Sequence, residues 1–201
     1  MAGKSPKSRS ASVKRETGET SIRLDLNLDG GEVKIATGVG FFDHMLHALA
    51  KHGRMGLVVE AQGDLHVDQH HLVEDVGIVL GTAFREALAV DLKVVRFADA
   101  CAPLDDALVR VVVDLSGRAY LHYGVDVSRP RVGEFDTDLV REFFQSFTHN
   151  ARVNLHADLL RGGNAHHQIE ALFKATALAL RQAVRRDSTL AEIPSTKGTI
   201  E

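Results

Sequence analysis

Two short clusters hold the residue types that bind metal ions: His70-His71-x-x-Glu74 and His166-His167-x-x-Glu170. On a helix, residues three and four apart share a face, so Glu74 neighbours both His70 and His71. Adjacent residues stand about 100° apart around the axis, given roughly 3.6 residues per turn. His70 and His71 therefore diverge, and each serves a different ion more naturally than both serve one. A single His-His pair at a helix start is ordinary polar capping. Two copies, each followed by Glu at the same offset, imply metal binding and two metals, which subunits can share. The order differs from the His-Glu-x-x-His of zinc hydrolases, which keeps a free Glu between its histidines.

These clusters need two long helices to carry them. The spacing of apolar residues predicts one over 70–89 and another over 166–185, with shorter helices over 41–52 and 137–150. Alternation predicts strands over 21–28, 32–35, 56–62, 64–67, 107–115, 119–127 and 153–160, with Asp29-Gly30-Gly31 as a hairpin turn. Laid over one another, the halves match. The two His-His-x-x-Glu clusters coincide, Leu57 falls on Leu155, Met55 on Val153, and His44 on Glu142. The expected fold is α+β, built from two duplicated half-domains. Each is a mainly antiparallel four-stranded sheet with two helices on one face, and the helices of the two halves pack together. The boundaries read as a disordered tail over 1–15, half-domains over 16–92 and 93–190, and a loop and tail over 191–201.

The repeat gathers a pool of eight potential ligands: His44, His70, His71, Glu74, Glu142, His166, His167 and Glu170. Shared between two ions, that leaves positions open on each for substrate and water. Imidazole with some carboxylate suits Mn, Fe, Co, Ni or Zn and argues against Mg or Ca. With no cysteine in the pool, a closed structural zinc site is disfavoured. His52, His66, His122, His149 and His156 have no repeated partner and read as surface or core histidines.

Composition narrows the rest. The 201 residues are 44% apolar and 25% charged, as in an ordinary globular protein, and no apolar run reaches the ~20 residues of a membrane span. A formal charge of −3 gives no basic footprint for nucleic acid. The lone cysteine, Cys101, suits a reducing cytoplasm and reads as a small buried apolar group.

Five motifs in order resemble the imidazoleglycerol-phosphate dehydratase family: Phe41-Phe42-Asp43-His44-Met45-Leu46, His70-His71-x-x-Glu74-Asp75, Asp114-Leu115-Ser116-Gly117-Arg118, His166-His167-x-x-Glu170-Ala171-x-Phe173-Lys174-Ala175 and Pro194-Ser195-Thr196-Lys197-Gly198. The resemblance runs over nearly the whole chain. It departs at Glu142, where many relatives carry His, and at Ala48, where Gln is frequent. The resemblance implies a cytoplasmic hydro-lyase of histidine biosynthesis that turns imidazoleglycerol phosphate into imidazoleacetol phosphate. Two Mn2+ per active site and a 24-subunit assembly of trimers, with metals at subunit contacts, are implied as well. So are the site roles. Glu19 resembles the acid/base carboxylate, Asp105 is a further polar contact, and Arg96, Arg118, Lys174, Ser195 and Lys197 match phosphate-binding positions.

Chemistry follows from these expectations. Metal-ligating His71, Glu74, His167 and Glu170 would place ions near both ring nitrogens, stabilising an imidazolate that expels the neighbouring hydroxyl. A diazafulvene-like intermediate then loses a proton from the next carbon to a carboxylate. A metal-dependent hydrolase and a metal-storage cage are the competing readings; the phosphate-binding set argues against storage.

Overall fold

The computed structural model describes residues 7–196. The first half runs β1 (Ser10–Glu16), β2 (Thr20–Asn27), β3 (Val33–Ala36), α1 (Gly40–Gly53), β4 (Gly56–Gly63) and α2 (His70–Ala89). The second runs β5 (Phe97–Leu104), β6 (Ala107–Asp114), β7 (Tyr120–Gly124), a small hairpin of β8 (Arg131–Val132) and β9 (Phe135–Asp136), α3 (Asp138–Ala151), β10 (Asn154–Arg161) and α4 (Ala165–Ala183). The sheets are ordered β1-β2-β4-β3 and β5-β6-β10-β7. In each, three strands are antiparallel and the last joins in parallel. Leu57 lies between Leu26 and Val33, as Leu155 lies between Val113 and Leu121, so the duplication extends to register.

The long helices cover the sheets, α2 over β1 and β2, α4 over β5 and β6. Each then packs on the short helix of the other half, α2 on α3 and α1 on α4, leaving four helices between two sheets. Phe42, Phe84, Phe143, Phe144, Phe147 and Phe173 fill that middle layer, each buried, and each contributing about 1.5–3 kcal/mol of transfer free energy. α2 approaches α3 with no side chain between backbones at two points. A Cβ on Gly77 would stand 2.8 Å from the Phe143 carbonyl oxygen, and one on Gly81 2.5 Å from that of Phe147. The matching positions of α4 carry Phe173 and Ala177. Phe173 meets the rings of Phe143 and Phe144 at 5.3 and 5.0 Å.

Several expectations need correction. Residues 10–16 are not tail but an edge strand, and 97–104 form its counterpart, neither of which alternation had marked. Both face their helix with small residues (Ala11 and Val13; Ala98, Ala100 and Ala102), so the apolar signal is faint. What fixes them is the ladder to the next strand. Just before β1, buried Arg9 pairs with Asp29 at 2.7 Å and donates to the carbonyl of Val184, the C-cap of α4, where a cation suits the helix dipole. Nor do β2 and β3 form a hairpin. β4 inserts between β2 and its expected partner, because β3–α1–β4 is a parallel crossover unit that needs a helix-length connection. The segment 64–67 is a turn, closed by Val67 N–H donating to the Asp64 carbonyl, and its Leu65 and Val67 are exposed. Cys101 points outward on an edge strand and is exposed, not buried.

Candidate metal centre and active site

α4 begins where Asn164 accepts a hydrogen bond from the His166 N–H at 2.9 Å, an N-cap that fixes the first turn. That turn sets His166 one turn from Glu170, and α1, packed alongside, brings in His44. Both imidazoles address one carboxylate oxygen: His44 Nε2 lies 3.2 Å and His166 Nε2 3.1 Å from Glu170 Oε2. The other oxygen, Oε1, receives Lys174 Nζ at 2.7 Å. Burial pushes the Glu170 carboxyl upward, but Lys174, His44 and His166 together hold it down to about 2, so it is an anion at any working pH. Three ligand atoms within 4.8 Å of one another, two imidazole nitrogens and a carboxylate oxygen, are a donor set that fits a divalent transition metal.

The other histidine of each pair diverges, as its place on the helix requires, and meets acidic side chains. His71 Nδ1 lies 3.0 Å from Asp64, and its Nε2 faces Glu19 at 3.7 Å. His167 Nδ1 lies 2.8 Å from Asp106, and its Nε2 faces Asp105 at 3.8 Å. A carboxylate on Nδ1 fixes the tautomer that leaves Nε2 as a lone-pair donor, the usual outer support of a metal-bound imidazole. The Asp64 contact raises the His71 pKa, with Glu19 adding to it. Glu19 and Asp105 occupy corresponding tight turns, β1–β2 and β5–β6, and Asp105 holds a left-handed conformation (φ 45) that Asp tolerates.

The eight-residue ligand pool is thus divided. His44, His166 and Glu170 come together. His70 Nε2 is 3.9 Å from Glu74, and Glu142, half-buried on α3, is not joined to them. Among the described residues no other trio of potential ligands converges. The phosphate-matching residues are dispersed too. Lys174 is at the centre. Arg96 is committed to Asp114 at 2.8 Å and to the Pro194 carbonyl at 2.6 Å, pinning the C-terminal segment that carries Ser195. Arg118 is exposed in the β6–β7 turn, and Lys197 lies outside the described residues.

Sequence reasoning missed Asp64 and Asp106. Asp64 lies in the turn just before α2, seven residues from His71, and Asp106 in the β5–β6 turn, 61 residues from His167; neither carries a periodic signal. His52 closes α1 near Lys174, where burial and then that cation depress its pKa.

Duplication, strand order and paired histidine–carboxylate helices define a class of repeat-built α+β enzyme. Residues 37–180 match the family model for imidazoleglycerol-phosphate dehydratase. The imidazoleglycerol-phosphate dehydratase of Limosilactobacillus fermentum is 54% identical over 193 residues, covering 96% of this chain and 100% of the relative. That of Azoarcus sp. is 57% identical over 194 residues, with the same coverage. Among solved structures, the Staphylococcus aureus enzyme has a TM-score of 0.82 and 42% identity over 89% of this chain and 99% of its own. That of Pyrococcus furiosus has 0.81 and 38% over 92% and 99%. The chain belongs to the imidazoleglycerol-phosphate dehydratase family and is a hydro-lyase.

Proposed function

We propose that this chain carries out its family's dehydration of imidazoleglycerol phosphate to imidazoleacetol phosphate, a step of histidine biosynthesis, as a metal-dependent elimination. The observation that carries the metal reading is the convergence of His44, His166 and Glu170. Two Mn2+ ions would be held by that trio and by His70, Glu74 and Glu142, with His71 and His167 as further Nε2 donors. Bound there, the metals supply Lewis-acid stabilisation of negative charge on the substrate's imidazole ring.

The protein's own groups do the remainder. Asp64 and Asp106 hold His71 and His167 in the ligating tautomer. The electron-rich ring would expel the hydroxyl from its attached carbon as hydroxide, which would take up the proton the ring nitrogen gave up and leave as water, giving a conjugated diazafulvene-like species. Glu19, with Asp105 as its counterpart, takes the proton from the next carbon, giving an enol that tautomerises to the ketone. Lys174, Arg118, Ser195 and Lys197 bind the phosphate, and Arg96 braces the segment that carries Ser195.

His71 and His167 each offer one Nε2, short of a full coordination shell; the ligands that complete it would come from neighbouring copies, in an assembly of trimers into 24 subunits with metals at the contacts. No helix of the described residues is long and apolar enough to cross a membrane. The single cysteine suits a cytoplasmic setting.

The test is conversion of imidazoleglycerol phosphate, with ketone product detected, in protein stripped of metal and reloaded with Mn2+. Turnover should return with Mn2+ and be lost in His71→Ala and His167→Ala. Turnover by fully stripped protein would sink the metal dependence, and no turnover under any metal would sink the activity.

A further inference from the structure

The two oxygens of Glu170 meet different partners, and their division of labour rests on the metal centre proposed above. Both imidazole nitrogens aim at Oε2, and among the described residues Lys174 is the cation at Oε1. Lys174 and Glu170 stand one helical turn apart on α4, and their side chains are only 20% and 13% exposed, so the ammonium has little room to leave. Phe41 packs edge-on against the His166 ring at 5.2 Å, which limits how the trio can rearrange.

We propose that Lys174 is a positioning residue of the metal centre: by occupying Oε1 it holds Glu170 as a one-oxygen ligand and keeps a coordination position free for the substrate's imidazole. A carboxylate with both oxygens free readily grips an ion with both, filling that position. A lysine at this distance prevents it at the cost of repelling the cation. Lys174→Met removes that repulsion, so tighter Mn2+ binding alone would say nothing about positioning. Coordination number and access do.

The experiment loads wild type and Lys174→Met with Co2+, whose visible absorption weakens as coordination rises toward six, and titrates each with imidazole as a probe of the open position. The variant should lose several-fold in absorption and bind imidazole about tenfold more weakly, the size expected for a residue supporting a ligand. Lys174→Arg, which still donates to Oε1, should restore both. Lys174→Gln, too short to reach Oε1, repeats the test should the methionine variant not fold. An unchanged spectrum and unchanged imidazole affinity in either loss variant would overturn the proposal, leaving Lys174 to the phosphate alone. A wild type that takes up no Co2+ or Mn2+ would overturn it together with the metal reading, and is told apart by that first titration.

Discussion

The two halves share strand order, register and ligand motif, and they part company where their helices meet. In one contact, α2 lies against α3 across Gly77 and Gly81, backbone against backbone. In the other, α1 lies against α4, which carries larger residues at those positions, and three ligand atoms are drawn together at its N-terminal end. The matching end of α2 leaves His70 and Glu74 3.9 Å apart, with Glu142 aside. Duplication therefore supplies two copies of the chemistry, while helix packing decides which copy a single chain assembles by itself.

The largest expected effect tests that division. In metal-stripped, dilute protein, His166→Ala should weaken the first Mn2+ bound by more than about a hundredfold, since even a ligand's supporting partners are worth 10–100-fold. His70→Ala should leave that first event nearly intact. Calorimetric titration reads both, and equal losses would erase the distinction between the halves.

A smaller effect concerns the acidic partners, where the halves use different turns for one task. Asp64→Asn and Asp106→Asn should each reduce metal affinity or turnover by about 10–100-fold. In the first half the hydrogen bond to Asp64 raises His71 above 6.5. A group raised on folding contributes stability that is present below 6.5 and lost as pH rises through the raised value. A protonated His71 is also no ligand, so metal leaves it as pH falls through that same value. In the second half the hydrogen bond from His167 lowers Asp106 below 3.8. That contribution is present above 3.8 and lost as pH falls through the lowered value. NMR titration of metal-free wild type and the two variants separates these cases. Asp64→Asn should return His71 towards its ordinary value, and an unmoved His71 would refute the assignment.

Most of this architecture was legible, for identifiable reasons. The helices of 70–89 and 166–185 announced themselves because one broad apolar stripe repeats over many turns. Their histidines were readable because two copies at one spacing are improbable. The edge strands β1 and β5 were not, since their inward residues are mostly Ala and Val and their stability comes from a partner strand distant in sequence. The parallel placement of β3 was hidden for a related reason: Asp29-Gly30-Gly31 makes a turn, but which strand lies beside β3 is decided by where α1 carries the chain. Asp64 and Asp106 were invisible because a turn aspartate has no period; the meaning of Asp106 appears only once α4, distant in sequence, is set against it, and that of Asp64 only once the turn before α2 folds back on His71.

The smallest expected effect sharpens the comparison at the opposite end of the helices. Met55, ahead of β4, is buried, and its Cε lies 2.6 Å from where a Cβ on Gly53 would stand, so the pair is closely matched. At the corresponding places the second half has Ala151 and Val153, and beside them lies a cavity of about 330 Å³, also lined by Arg85, Leu88, Leu115 and Arg152. Met55→Val should cost about 1 kcal/mol, as a modest buried truncation does. Val153→Met should return less than that, for two reasons: the Ala151 methyl occupies the space the thioether end would enter, and two exposed arginines at the rim keep the site wet. Urea midpoints of the metal-free variants measure both. If Val153→Met stabilises by as much as Met55→Val destabilises, the second half has room for the first half's packing and the cavity is only an unfilled copy. If it destabilises, Ala151 and Val153 form a matched pair of their own, and the two halves have settled into different cores around one shared plan.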